Sequence, residues 1–145
     1  MPIKSFRGLI ADGGIDIIPL STNNGSTGYK IVKFQVLAND PAGTSSESTV
    51  KIYSIPQTSV TGTIDFSDNT MLAAAYYDNS NNPAYNEPGV VIFENMIFNQ
   101  DIYVTHLEQT GSQSVNYYIE LEQVKLSLDE NTVATLKDIR NIKSQ

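Results

Sequence analysis

The sequence predicts a mainly β protein: an antiparallel β-sandwich or jelly-roll-like domain with one short C-terminal α-helix. Three observations carry this expectation. Apolar and polar residues alternate in several short runs, most clearly in 114–122. Gly, Asn, Asp and Pro punctuate those runs at intervals of about 8–12 residues, as in sandwiches and partly open barrels. Only the last stretch, 129–140, changes to helical spacing. At 145 residues the chain fits one domain. It divides into an N-terminal arm at 1–14, the β domain at 15–128, and a helix and tail at 129–145 packed on that domain.

The first 14 residues hold Lys4, Phe6, Arg7, Leu9 and Ile10 and end in Asp12-Gly13-Gly14. Two readings stay open for them: a mobile or neighbour-clasping arm, and an edge strand. Residues 15–21 form a short strand that Pro19 places at an edge. The turn Thr22-Asn23-Asn24-Gly25 precedes a strong strand at 29–37, with Val32, Phe34 and Val36 on one face and Lys30 and Lys33 outside that set. Strands follow at 49–55 and 59–66, the second weakened by Gly62. The run MLAAAYY at 71–77 has Ala-rich helical composition, but it is under two turns long and lies among strands, so it reads as a strand. Residues 78–89 are a long loop, of the kind that carries binding or assembly contacts.

Strands at 90–93, extendable to Phe98, and at 102–106 lead to the organising segment. There Val115, Tyr117, Ile119 and Leu121 alternate with Asn116, Tyr118, Glu120 and Glu122. Val124, Leu126 and Leu128 then take the opposite parity, which predicts a β-bulge near Gln123. Ser127 and Glu130 have capping-box spacing, and Val133, Leu136 and Ile139 form the stripe of a short helix.

Composition bounds function. There are 16 acidic and 9 basic residues, a net charge of −7, which opposes nucleic acid and anionic lipid. With no Cys, neither disulfides nor thiolate metal sites contribute. The N-terminus lacks the apolar core of a leader, and no run reaches the roughly 20 apolar residues of a membrane span. Synthesis and folding in a cytoplasm is the expectation, and Asn24-Gly25-Ser26 reads as a turn and not as a glycosylation site.

Candidate chemistry is sparse. His106 is the single histidine, and no Gly-x-Ser-x-Gly elbow accompanies it, so it reads as structural. Glu120 and Glu122 share a strand face, as paired glycosidase carboxylates can, with Glu108 near enough to join them. The competing account is a solvated face or a subunit contact made with Lys125 or Arg140, and it is preferred. Asp65, Asp68 and Asp78 with Asn79, Asn81 and Asn82 offer oxygen ligands for Ca²⁺, but without EF-hand spacing they read as turn residues. No cofactor pattern is present, since Asp12-Gly13-Gly14 is followed by no phosphate-cradling glycines. The eight Tyr divide between core and interface.

The strings FRGLIADGG at 6–14, LSTNNGSTGYKIVKFQV at 20–36, DFSDNTMLAAAYY at 65–77, FNQDIYVTH at 98–106 and NYYIELEQVKLSLDENTVATLKDIRN at 116–141 resemble a family of small virion structural proteins. That family belongs to tailed bacteriophages of the marine cyanobacterial type. The resemblance covers most of the chain, is strongest in its last third, and brings no active-site residues with it.

It implies a non-enzymatic virion component, first a capsid decoration (cement) protein clamping the major capsid protein, otherwise a neck, tail or baseplate part. It also implies a homo-oligomer, with a trimer favoured by analogy to other sandwich decoration proteins. Interface candidates are Lys4, Phe6, Arg7, Tyr85, Tyr118, Glu120, Glu122, Leu136, Ile139 and Arg140. From another class, a carbohydrate-binding module would use Tyr85 and its loop.

Overall fold

The computed structural model describes residues 2–20, 26–41, 43, 46–78, 89–93 and 95–126. They form eight strands: β1 (Ile3–Ile10), β2 (Ile15–Ile18), β3 (Thr27–Ala38), β4 (Glu47–Tyr53), β5 (Met71–Asp78), β6 (Gly89–Ile92), β7 (Ile102–Glu108) and β8 (Val115–Lys125). Every pairing is antiparallel. A three-stranded sheet has the order β1-β8-β3, and a five-stranded sheet the order β2-β7-β4-β5-β6. The helix expected at 129–145 lies outside the described residues, with Leu136, Ile139 and Arg140.

The alternation in β8 has the predicted effect. Val115, Tyr117, Ile119 and Leu121 are buried, and β8 is the central strand of its sheet. They meet Val50, Ile52, Ala73, Ala75, Ile102 and Val104 of the other sheet in one hydrophobic cluster. Burial of these side chains, at about 25 cal/mol per Å² of apolar surface, is what holds the two sheets together. The Ala-rich β5 suits this place, because small side chains let its neighbours close over it.

Residues 3–10 are an edge strand, the second of the two readings of the N-terminal segment. All eight residues of β1 pair with β8, and the pairing buries Ile10. The chain then crosses to the other sheet through Asp12-Gly13-Gly14. Gly13 supplies the left-handed backbone (φ 77°), and its amide donates to the His106 carbonyl at 2.8 Å. Asp12 Oδ1 accepts from the Glu108 amide at 2.8 Å, which ties the crossing to β7.

Two expectations are corrected. The bulge lies in β3 and not near Gln123: the register against β8 shifts between Ile31 and Lys33. Because Val32 is the extra residue, it turns outward at 40% exposure, while Ile31 and Phe34 both face the core. Lys30 and Lys33 therefore share their face with Val32. The parity change in β8 has another cause: Leu126, on the outer side, is buried where Gly28 lies against it and Ile97.

The strand expected at 59–66 is absent. Residues 54–70 instead cross the outer side of the five-stranded sheet as irregular chain. Lys51 points outward from β4, and its ammonium donates to the Thr63 carbonyl at 2.7 Å and to Thr61 Oγ1 at 3.1 Å. A buried cation needs such acceptors, and a regular strand would have spent its carbonyls on a ladder. Burial lowers the Lys51 pKa, and the Asp68 charge opposes that fall. No helix among the described residues is long and apolar enough to cross a membrane.

Candidate functional site

Strand register decides which predicted residues meet. On the side of the three-stranded sheet away from the core, β1, β8 and β3 set their side chains in rows. Ile3, Glu122 and Lys30 make one row, and Ser5, Glu120 and Lys33 the next. Arg7, Tyr118 and Gln35 follow, then Leu9, Asn116 and Leu37. The face thus runs from charged at one end to apolar at the other. Leu9 is 53% exposed and Leu37 63% exposed. Arg7, Leu9, Gln35, Leu37, Asn116 and Tyr118 line a groove of about 500 Å³ there.

The charged end is internally satisfied. Lys30 Nζ lies 3.8 Å from Glu122 Oε2. Tyr118 donates its hydroxyl to Glu120 Oε2 at 2.6 Å, and this bond raises the phenol pKa. Lys33 Nζ sits 5.9 Å from the Tyr118 ring centroid, within cation–π range. Glu120 and Glu122 are therefore committed to neighbours on their own sheet. Glu108, expected near them, belongs to β7 in the other sheet.

Gly8 shapes the groove floor. A Cβ there would lie 2.9 Å from Tyr117 Oη, so the missing side chain lets the Tyr117 ring tuck beneath β1. Tyr117 then donates to Asp16 Oδ2 on β2 at 2.9 Å, a bond between the two sheets. Burial first, and then this bond to Asp16, push the Tyr117 phenol pKa upward.

Of the predicted interface residues, Arg7, Tyr118, Glu120 and Glu122 come together on this face. Phe6 and Lys4 point to its other side. Phe6 packs against the core, and Lys4 Nζ lies 3.3 Å from the Tyr29 hydroxyl and 5.4 Å from its ring centroid. Tyr85 lies outside the described residues. Leu9, Gln35 and Leu37 were not among the predicted interface residues, because their proximity to Tyr118 depends on β1 and β3 flanking a strand remote from both, whereas Asn116 shares the Tyr118 face by alternation within β8.

Charge is segregated with the sheets. Lys4, Arg7, Lys30, Lys33 and Lys125 lie on the three-stranded sheet, and Lys51 is the one other Lys or Arg among the described residues. Of the described carboxylates only Glu120 and Glu122 are on that sheet. A chain of net charge −7 therefore carries one locally basic sheet.

His106 is fully buried between the sheets. Nδ1 lies 3.1 Å from the carbonyls of both Ile10 and Ala11, so it must carry the proton. Nε2 then accepts from the Ser48 hydroxyl at 3.0 Å. Burial lowers the His106 pKa, against the opposing effect of those carbonyls and of Asp12 and Glu108. Ser48 and His106 resemble a nucleophile–base pair in distance alone. The third position holds backbone carbonyls, and both side chains are sealed in the core, so the arrangement fastens β1 to β7 and β4.

Glu108 works similarly at the end of β7. Burial opposes its ionisation, but bonds from the Glu47, Thr110 and Gly111 amides and the Thr110 hydroxyl outweigh it, bringing the carboxyl down to about 2. Asp65 and Asp68 each close a turn, on Ser67 and Thr70 respectively. Among the described residues no three His, Asp or Glu side chains are grouped to hold a metal ion. Asn79, Asn81 and Asn82 lie outside them.

No family model, curated protein or solved structure matches the chain.

Proposed function

We propose that this chain is a non-enzymatic structural component of a tailed-phage virion, acting through the outer face of its three-stranded sheet. The reading extends to the fold: the two sheets form a β-sandwich of jelly-roll type, closed by a short helix at 129–145. The observation that carries it is the outer face itself. Exposed Leu9 and Leu37 lie in the row next to Arg7 and Tyr118 on an antiparallel scaffold, with the charged groups beyond them already paired. A face with a grooved apolar end and one guanidinium suits docking to a neighbouring subunit.

The resemblance of the sequence strings to small phage virion proteins supplies the setting. Within a particle the leading assignment is a capsid decoration (cement) protein on the major capsid protein, and a neck, tail or baseplate part is second. Such a protein stabilises a shell to the extent that it prefers assembled over free subunits. Quantitative mass spectrometry of gradient-purified virions tests the setting. Stoichiometric copies relative to the major capsid protein are expected, and absence from particles would refute it.

The same groove offers one observation for a glycan-binding module: Tyr118 lies beside Gln35, Asn116 and Arg7. It ranks lower because the ring is approached by Lys33 and the hydroxyl is held by Glu120. Glycan-array binding lost on Tyr118→Ala would reverse that ranking.

A further inference from the structure

The docking face has a partner surface on its own chain. Residues 64–68 lie on the outer side of the five-stranded sheet, at the opposite side of the molecule. Ile64 and Phe66 are exposed there, Phe66 at 55%, on either side of the exposed Asp65. The loop is ordered: the Asp68 amide donates to the Asp65 carbonyl at 3.1 Å, and Asp65 Oδ1 accepts from the Ser67 amide at 3.0 Å. Phe66 meets the Phe93 ring edge-on at 5.3 Å, which holds the loop against the sheet. An aromatic ring presented this way loses little side-chain freedom on binding.

We propose that the groove of one copy receives the 64–68 loop of a second copy, so that copies stack head to tail. This rests on reading the outer face as a docking surface and names its occupant. The chemistry matches on both counts. Phe66 and Ile64 offer apolar surface to Leu9 and Leu37, and the Asp65 carboxylate faces the Arg7 guanidinium, a charge-assisted pair. On the outer face itself Arg7, Lys30 and Lys33 outnumber Glu120 and Glu122 by one, and residues 64–68 carry Asp65 and Asp68 with no cation among them. Contact between unlike surfaces is heterologous, and surfaces on opposite sides of a subunit propagate as an open row. This departs from the closed trimer expected by analogy.

Sedimentation velocity of the full chain, from about 1 to 500 µM at low and high salt, tests it. The expected result is a sedimentation coefficient that climbs with concentration without reaching a terminal species, and climbs less at high salt. Arg7→Glu, which breaks the groove, and Asp65→Asn with Phe66→Ala, which breaks the loop, are each expected to stay monomeric with native circular dichroism. Asp65→Asn keeps the turn acceptor, and Leu37→Ser at its exposed site replaces Arg7→Glu if that variant misfolds.

Mixing the groove-broken and loop-broken proteins is then expected to give a single dimer, because one intact groove and one intact loop remain. A monomeric wild type, a closed dimer or trimer, or a mixture that does not pair overturns the stacking. A monomeric wild type whose Arg7→Glu form is lost from particles does so while leaving the docking reading in place. Full incorporation of Arg7→Glu strikes at the docking reading itself.

Discussion

Gly8→Ala is a one-methyl perturbation of the floor of the outer face. The added Cβ would sit 2.9 Å from Tyr117 Oη and 3.0 Å from Cε2 and Cζ. The Tyr117 ring cannot swing aside freely, because it is buried in the shared core and its hydroxyl is held by Asp16 at 2.9 Å. Either the ring shifts and the bond between sheets is lost, or β1 lifts from β8. Overpacking of this kind costs about 1–3 kcal/mol, and loss of a hydrogen bond to a charged acceptor about 1.5–3 kcal/mol. Relief of glycine's backbone entropy returns about 0.5–1 kcal/mol.

A net loss of about 0.5–2.5 kcal/mol follows, which for a domain of this size lowers Tm by roughly 1–10 °C. Urea unfolding read by circular dichroism measures it. The second half of a double-mutant cycle isolates the cause: in a Tyr117→Leu background the clashing atoms are gone, and Gly8→Ala is expected to be neutral or mildly stabilising. Equal destabilisation in both backgrounds, or none in the wild type, would refute the argument.

The remaining predictions concern acid stability and the N-terminal strand. The Glu108 carboxyl falls from its ordinary 4.5 to about 2 on folding, so its contribution is complete above pH 4.5 and is lost as pH drops towards 2. Glu108→Gln should lower stability at neutral pH and flatten that acid limb, and an unchanged limb would place the effect elsewhere. His106 adds a second acid dependence: its pKa is lowered on folding, so below the ordinary histidine value of 6.5 the unfolded chain gains the proton that the fold resists. Deleting residues 2–8 removes most of β1 and strips one edge of β8, so it should lower Tm as well as any binding. A truncated chain with unchanged Tm would show β1 to be dispensable.

Much of the fold was legible because β8 obeys a simple rule. From Val115 to Leu121 its inward residues are all apolar, and Asn116, Tyr118, Glu120 and Glu122 face outward, which local periodicity reports directly. The same rule misled where apolar residues are needed on the outer side. Leu126 covers Gly28 and Ile97, and its parity looked like a bulge, while the real bulge at Val32 shows only as the pairing of Ile31 and Lys33 with consecutive residues of β8. Residues 59–66 have strand-like composition, yet the Thr63 carbonyl is spent on Lys51, a demand set by a residue twelve positions away.

The site divides the same way. Tyr118, Glu120 and Glu122 share a face by local alternation. Their neighbours Arg7, Leu9, Gln35 and Leu37 arrive through the β1-β8-β3 order, which no local pattern encodes. The Ser48–His106 bond is likewise a product of β4–β7 register.

We propose that the protein acts by presenting the outer face of β1, β8 and β3 to a neighbour inside a virion. Cryo-electron microscopy of the intact particle tests it most directly. Density for this chain is expected with Arg7, Leu9, Leu37 and Tyr118 covered by an adjoining subunit. A chain seated in the particle through another surface, with that face left open to solvent, would contradict it.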